Sequence, residues 1–258
     1  MSVQLLHIYG PIAINTYGTM IAIGTLVVIS LLFKDKKCLQ LVSEEVLANG
    51  ISLAIIVGLF GGRLLWFLEQ APSTRSIITF FSVWYGGLSI LGAVATLSIF
   101  IPLYFFYHNI PILAISDRIA LYLPIAHFFG RLGCYFAGCC YGIATALPWG
   151  AVYHSQNYFA PYGIPIHPTQ LYSAALQLFL FIFLWKIKDN KNPHGVLLGY
   201  YLVGSSFCRF IVDFLRADRT LVLGTMSSPQ CIALFVMVAG FTLLLTAKYA
   251  KSLWPKSF

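Results

Sequence analysis

Residues 118–137 read RIALYLPIAHFFGRLGCYFA, a largely apolar run that contains a single arginine, Arg131, away from its ends. A transmembrane helix requires about 20 such residues, because each residue adds about 1.5 Å along the helix axis. A guanidinium within such a helix costs at least about 2.5 kcal/mol on insertion scales. The segment therefore indicates a membrane helix whose arginine faces a cavity, a partner or an anion.

Six further apolar runs of similar length accompany this segment. Together they predict an all-α integral membrane protein, a bundle of about seven transmembrane helices within a single domain, residues 1–258. The predicted spans lie near residues 12–33, 47–68, 84–106, 118–137, 167–185, 195–215 and 226–247.

The composition excludes a soluble globular protein. Hydrophobic residues make up 59% of the chain and charged residues only 9%, whereas soluble domains contain roughly 25% charged residues. The net charge of +8 is not concentrated in a basic run, so we expect membrane lipid and not nucleic acid as the partner.

The lysines predict the orientation. By the positive-inside rule, the side that collects the lysines is cytoplasmic, which places the N-terminus outside and the C-terminus in the cytoplasm. Arg75, Arg216 and Arg219 then fall on the outer side, as does the uncharged, aromatic-rich loop of residues 137–166. The nine lysines that share the cytoplasmic side follow the first, fifth and seventh spans: Lys34, Lys36, Lys37, Lys186, Lys188, Lys191, Lys248, Lys251 and Lys256.

Arginines on two different spans indicate an anion site. Arg131 lies in the fourth span, and Arg209, Asp213 and Arg216 lie at the end of the sixth with spacings of four and three, so these last three share one helix face. Two guanidinium groups on different helices form a fork suited to a phosphate. A phospholipid headgroup is the anion expected at this depth, with Asp213 holding an arginine in place. A structural ion-pair ladder is the alternative interpretation.

Three other polar residues allow two interpretations each. His127 lies four residues before Arg131 on the same helix face, where it is either a neutral base or a hydrogen-bonding core residue. Tyr17 is either interfacial or paired within the bundle. His167 precedes Pro168 at a helix start, which favours a capping or interfacial role over catalysis.

The cysteines Cys134, Cys139 and Cys140 cluster at the end of the fourth span. Their spacing differs from the CxxC pattern of zinc sites, so the sequence predicts no metal site. Buried cysteines are usually inert, but a nearby arginine lowers the pKa of a thiol. Cys139 is therefore either packing or a thiolate nucleophile.

Several short motifs in fixed order resemble the prolipoprotein diacylglyceryl transferase family along nearly the whole chain. Each motif alone is weak, and the ordered set carries the resemblance. The motifs are NTYG (15–18), GGRL (61–64), WYGGLS (84–89), GRLG (130–133), LPWG (147–150), HPTQLY (167–172), RFIVDFLRAD (209–218) and MSSPQ (226–230).

The resemblance implies a multi-pass protein of the bacterial inner (cytoplasmic) membrane. Such enzymes move the diacylglyceryl group of phosphatidylglycerol to the lipobox cysteine of a preprolipoprotein signal peptide, release glycerol phosphate and need no cofactor. Residues matching family motifs are then candidates for the active site. Arg131, Arg209, Cys139 and His127 are the catalytic candidates, and Arg131, Tyr17, Asp213, Arg216 and Cys134 are the candidates for substrate binding.

This chain departs from the family pattern at the acid and base positions. Where the family reads GRIGNFINGE, Cys134 and Ala137 replace the two asparagines and Cys139 replaces the acid, and Leu91 replaces a histidine often proposed as the base. Deprotonation of the acceptor thiol would then fall to His127, to solvent or to a Cys139 thiolate. Two alternatives follow: a paralogue that transfers a lipid-derived group to another acceptor through Cys139, or a phospholipid-binding protein without catalysis.

Overall fold

The computed structural model describes residues 4–9, 12–70, 76–82, 86–154, 159–190 and 192–253. Six residues of the motifs, charge patterns and aromatic-rich loop discussed above lie outside the described residues: Arg75, Trp84, Tyr85, Tyr158, Lys191 and Lys256. In chain order the elements are β1 (Gln4–Tyr9), β2 (Ile12–Asn15), α1 (Thr16–Lys34), α2 (Lys36–Leu39), α3 (Glu44–Glu69), α4 (Ile77–Phe81), α5 (Ile90–Tyr107), α6 (Ile112–Ala137), α7 (Thr169–Ile187), α8 (Val196–Asp213), β3 (Leu221–Leu223), β4 (Met226–Ser227) and α9 (Ser228–Leu253).

Seven helices in the described part of the chain are long and apolar enough to cross a membrane, which confirms the predicted all-α membrane architecture. They are α1, α3, α5, α6, α7, α8 and the first 20 residues of α9. Their outward faces carry many exposed leucine, isoleucine and phenylalanine side chains, as expected for helices that contact lipid tails.

Two predicted spans begin four or more residues too early. Residues 12–15, predicted as the start of the first span, form β2, which pairs with β1 in a two-stranded sheet. The third span begins at Ile90, and residues 86–89 of its predicted start are not helical, because Gly86 and Gly87 have φ angles of +83° and +89°. These left-handed conformations suit glycine and cannot continue a right-handed helix.

The described residues divide into two compact units. One contains residues 4–8, 13–34 and 116–253, and so holds α1, nearly all of α6, and α7 to α9. The other contains residues 9, 12 and 35–115 with the gaps stated above, and so holds α2 to α5.

In the unit with α2 to α5, α3 and α5 cross at glycines. A Cβ at Gly92 would lie 2.3 Å from the carbonyl oxygen of Gly61, so the two backbones approach more closely than any larger residue allows. The buried Arg63 of α3 donates hydrogen bonds to the carbonyl oxygens of Thr79, Phe80, Ser82, Gly86 and Gly87. This arginine therefore holds the end of α4 and the two glycines before α5 in place.

In the other unit, glycines bring α8 against α9 and α6 against α1. A Cβ added at Gly199 would lie 3.2 Å from the carbonyl oxygen of Gly240, and one added at Gly240 would lie 3.1 Å from the carbonyl oxygen of Gly199. A Cβ at Gly133 of α6 would lie 3.2 Å from the Tyr17 carbonyl oxygen and 3.2 Å from the Tyr17 ring. Gly133, two residues after Arg131, therefore allows Tyr17 to approach the part of α6 that carries Arg131.

We predict that Gly92→Ala destabilises the protein by about 1–2 kcal/mol. The cost of overpacking is about 1–3 kcal/mol, and the better helix propensity of alanine offsets up to about 1 kcal/mol of it. The measurement is denaturant unfolding of the purified protein in detergent.

Gly18→Ala is the matched control, because Gly18 is also the third residue of its helix and a Cβ there would contact nothing within 4 Å. Equal unfolding midpoints for the two variants would contradict the close crossing of α3 and α5.

Candidate active site

The site is built around the turn that ends α6. Gly138 has a φ of +70°, its N–H donates to the Tyr135 carbonyl at 3.1 Å, and the Cys139 N–H donates to the Cys134 carbonyl at 3.1 Å. This pair of hydrogen bonds is a Schellman motif, in which glycine supplies the left-handed residue that stops the helix. The motif folds Cys139 back toward Cys134.

Side chains of α7 hold the next residues of this turn. Gln170 donates to the Cys139 carbonyl at 2.7 Å, and Thr169 donates to the Cys140 carbonyl at 2.7 Å. Both side chains are buried. Cys140 itself has a φ of +58°, a conformation that costs a residue with a side chain about 1 kcal/mol or more and persists only where the surroundings impose it.

The turn gathers three thiols. The Sγ atoms of Cys134, Cys139 and Cys140 all lie within 4.8 Å of one another, with Cys134 buried and the other two partly exposed. No other group of three or more histidine, cysteine, aspartate or glutamate side chains in the described residues is arranged to hold a metal ion. The sequence spacing gave no indication of this arrangement, because the cluster depends on the turn.

The three thiols are electrostatically different. Hydrogen bonds from the Cys134 and Cys139 thiols lower the pKa of Cys140, and the positive charges of Arg216 and Arg131 lower it further. The same hydrogen bonds with Cys134 and Cys140 raise the pKa of Cys139, because Cys139 acts as the donor. The sequence left Cys139 as either packing or a thiolate nucleophile, and these hydrogen bonds and charges favour Cys140 as the more acidic thiol.

A short stretch after the turn connects it to the end of α8. The Gly142 N–H donates to the His167 carbonyl at 3.1 Å, and the Ile143 N–H donates to the Leu215 carbonyl at 2.9 Å. A Cβ at Gly142 would lie 2.6 Å from the His167 carbonyl oxygen, so only glycine fits between the two neighbouring segments. This pairing brings Arg216 within electrostatic range of Cys140.

One buried carboxylate organises the C-terminal end of α8. Asp213, only 2% exposed, forms salt bridges with Arg209 at 3.3 Å and with Arg219 at 3.6 Å, and it accepts a hydrogen bond from the Ser227 hydroxyl. The sequence predicted that Asp213 holds an arginine, and Arg209, one helical turn away, is one such partner. Asp213 additionally holds the start of α9 through Ser227.

The MSSPQ segment completes this arrangement. The buried Gln230 side-chain oxygen accepts from the Arg219 guanidinium at 3.0 Å and from the Ser227 N–H at 3.0 Å. The Gln230 amide group also donates to the Phe210 carbonyl of α8 at 3.4 Å. The motif therefore anchors the arginines of α8 and of the segment after it, a role that the sequence alone did not assign to Ser227 or Gln230.

Arg216 has its own partner. Its guanidinium makes a bidentate contact with Asp218 at 2.8 and 2.5 Å. Burial disfavours the charged form, but the hydrogen bond to Asp218 and the nearby Cys140 raise the pKa of Arg216 above its ordinary value. Arg216 is therefore a permanent positive charge beside the cysteine turn.

Arg131 differs from these arginines. Among the described residues, no carboxylate pairs with Arg131 and none accepts a hydrogen bond from its guanidinium. Its charge nevertheless acts on Arg209, Tyr17 and Cys140. The region therefore holds four guanidinium groups, on Arg131, Arg209, Arg216 and Arg219, against the two carboxylates of Asp213 and Asp218, which leaves an excess of positive charge.

Two further predicted residues lie in the same region. Tyr17, partly buried, lies within electrostatic range of Arg131 and of all three cysteines of the turn. His127 lies within electrostatic range of Arg131, and its ring centroid is 6.1 Å from that of Tyr201. His127 also retains an exposed surface, so it is available to a molecule that enters beside Arg131.

His167 has a positional role in this structure. Its backbone connects to Gly142 and Ile143, and its Nδ1 lies 3.3 Å from the Tyr172 hydroxyl. Tyr172 in turn accepts a hydrogen bond from the Trp149 indole at 2.8 Å. These contacts link the start of α7 to the loop of residues 138–168, in agreement with the structural interpretation of His167.

Comparison with known proteins places these features in a family. A family model described as prolipoprotein diacylglyceryl transferase matches residues 3–246. The chain belongs to this family.

Curated relatives agree with the assignment. The chain is similar to phosphatidylglycerol–prolipoprotein diacylglyceryl transferase 2 of Clostridium perfringens, with 31% identity over 94% of both chains. It is also similar to the enzymes of that name from Clostridium tetani, with 32% identity over 93% of this chain and 95% of the relative, and from Nitrosomonas europaea, with 29% identity over 91% and 86%.

Within the prolipoprotein diacylglyceryl transferase family, two short motifs of this chain gain a structural explanation. HPTQLY supplies Thr169 and Gln170, which hold the turn of Cys139 and Cys140, and MSSPQ supplies Ser227 and Gln230, which hold Asp213 and Arg219. The sequence indicated both motifs but not these four residues as parts of the site. Their position directly after the loop and directly before the last span was the available signal.

We predict that Asp213→Asn lowers the free energy of unfolding by about 2–3 kcal/mol. Removing one partner of a buried ion pair costs about 3–5 kcal/mol, and the partial exposure of Arg209 and Arg219 reduces this value. The measurement is denaturant unfolding in detergent.

Asp218→Asn is the control, because Asp218 is an exposed carboxylate that pairs with one arginine only. We expect a loss below about 1 kcal/mol for it. A smaller effect for Asp213→Asn than for Asp218→Asn would contradict the organising role of the buried carboxylate.

Proposed function

We propose that this protein is a phosphatidylglycerol–prolipoprotein diacylglyceryl transferase. It transfers the diacylglyceryl group of phosphatidylglycerol to the thiol of a lipobox cysteine in a preprolipoprotein signal peptide and releases glycerol phosphate. Membership of the family over residues 3–246 and the names of the relatives support this proposal.

The observation that carries the proposal is the guanidinium of Arg131, which pairs with no carboxylate of the described residues. An arginine at membrane depth requires a counter-charge, and two guanidinium groups on different helices suit the bidentate recognition of a phosphate. Arg131 on α6 and Arg209 on α8 are therefore the residues that hold the phosphodiester. Tyr17 lies in the same region and is the further hydrogen-bonding group for the headgroup.

The reaction develops charge where the arginines lie. The acceptor sulfur forms a bond to the glyceryl carbon that carries the phosphodiester oxygen, the carbon–oxygen bond breaks, and its electron pair leaves with glycerol phosphate. The phosphate thereby gains one negative charge. Guanidinium groups already positioned at the phosphate stabilise that charge in the transition state, without reorganisation at the moment of reaction.

Arg216 and Asp213 support this site indirectly. Asp213 holds Arg209 at 3.3 Å, which fixes the direction of the guanidinium. Arg216, fixed by Asp218, adds positive charge beside the cysteine turn. Cys134, buried under the turn, belongs to the wall of the site.

The acceptor thiol must lose its proton. His127 is one candidate base, because it lies within range of Arg131 and has an exposed surface. The cysteine turn is another, with Cys139 at the position of the family's acid and the more acidic Cys140 beside it. Either group would take the role of the family histidine that Leu91 replaces.

We further propose the bacterial inner (cytoplasmic) membrane as the location. The seven apolar helices make the protein multi-pass, and the family supports this membrane. The lysine distribution then puts the cysteine turn and the loop of residues 138–168 on the outer side, where a translocated signal peptide presents its cysteine.

We predict that Arg131→Ala and Arg209→Ala each reduce diacylglyceryl transfer by about 100- to 1,000-fold. This is the loss expected when one preorganised donor to a developing negative charge is removed. The measurement is thioether formation on a lipobox peptide, followed by mass spectrometry, with phosphatidylglycerol in mixed micelles. Arg131→Lys retains the charge but not the bidentate geometry and should give an intermediate rate.

Lys188→Ala is the control for the removal of one positive charge, because Lys188 lies at the opposite end of α7, paired with Asp189. We expect its rate to equal that of the wild type. Undiminished transfer by folded Arg131→Ala and Arg209→Ala proteins would contradict the proposed phosphate site.

A further inference from the structure

The three-cysteine turn brings three thiols together, a geometry that a single thiolate acting as a base does not require. Cys134 comes from the last turn of α6, and Cys139 and Cys140 come from the chain directly after it. Their Sγ atoms all lie within 4.8 Å of one another. Cys38, Cys208 and Cys231, the other cysteines of the chain, are not part of this group.

These distances are close to those of a thiolate metal site. Zinc binds cysteine sulfur at about 2.3 Å with tetrahedral geometry, which places the sulfur ligands of one ion about 3.8 Å apart. The three sulfurs are therefore within about 1 Å of the separation that one ion requires. Small rotations of the side chains are sufficient to close that difference.

The backbone holds the three residues in position. The Schellman hydrogen bonds fix Cys139 relative to Cys134, while Gln170 and Thr169 fix the carbonyl groups of Cys139 and Cys140. The left-handed conformation of Cys140 is imposed by these contacts. Ligands held by their neighbours in this way bind a metal with less ordering of the chain than free cysteines do.

The surrounding charges are also suitable. Three thiolates carry three negative charges, and Arg131 and Arg216 lie within electrostatic range of Cys140. A divalent cation together with these guanidinium groups balances the thiolates at a partly buried position. The ligand set contains sulfur only, and thiolates select soft or borderline cations over magnesium and calcium.

We propose that Cys134, Cys139 and Cys140 form a binding site for one thiophilic divalent cation of the Zn²⁺ type. Three protein ligands leave the fourth tetrahedral position open, as in catalytic zinc sites and unlike closed structural ones. Cys139 and Cys140 are partly exposed, so this fourth position is accessible to water or to a thiol from outside the chain.

The test is a titration of the purified, reduced full-length protein in detergent with Cd²⁺, read by the ultraviolet thiolate-to-cadmium charge-transfer absorbance. A parallel sample with Zn²⁺ is analysed for bound metal after gel filtration. We expect one equivalent of either metal per chain. Cys139→Ser and Cys140→Ser should each weaken binding by at least about 100-fold, since loss of an outer-shell partner alone costs 10- to 100-fold.

Cys208→Ser and Cys231→Ser are the matched controls and should bind as the wild type does. Gel-filtration profiles and Zn²⁺-dependent shifts in thermal unfolding separate loss of the site from loss of the fold. Absence of the absorbance band in the reduced wild type would overturn the proposal. Equal binding by folded Cys139→Ser and wild type would also overturn it, as would an intact mass showing that the purified chain resists reduction and holds these cysteines as a disulfide.

Discussion

The buried carboxylate of Asp213 is the constraint on which the candidate site depends. It holds Arg209 and Arg219 and accepts a hydrogen bond from Ser227, so one negative charge ties the end of α8 to the start of α9. Asp218 forms an ion pair with Arg216 in the same region. No carboxylate of the described residues forms an ion pair with Arg131. The resulting excess of positive charge is the physical reason why we propose an anionic lipid ligand.

The seven helices were predictable because the physics of lipid requires long apolar segments with internally satisfied backbones. The errors lie at the starts of two predicted spans. Residues 12–15 form a strand, and the left-handed Gly86 and Gly87 prevent α5 from beginning before Ile90. Hydropathy does not register either feature, since Ile12 and Ile14 are as apolar as helix residues and backbone φ angles carry no hydropathy. A pairing of Asp213 with an arginine one turn away was predictable from the helical period, and the structure identifies Arg209 as such a partner.

The cysteine turn was not predictable from spacing. Its geometry results from a left-handed glycine, a left-handed cysteine and two side chains about 30 residues further along the chain, Thr169 and Gln170. These contacts depend on where α6 ends and where α7 begins in space. The same holds for Gly142, whose missing side chain lets the chain pass between His167 and Leu215. Such features follow from tertiary structure. The short motifs HPTQLY and MSSPQ were the signs of such contacts that the sequence offered.

The most direct test of the central claim is the release of glycerol phosphate from headgroup-labelled phosphatidylglycerol by the purified protein. The reaction is run with a lipobox peptide, with the same peptide carrying serine in place of cysteine, and without peptide. Transfer to a thiol predicts release with the cysteine peptide only, in a one-to-one ratio with thioether formed. Release at the same rate without a thiol acceptor, or lipid binding without any release, would contradict the account.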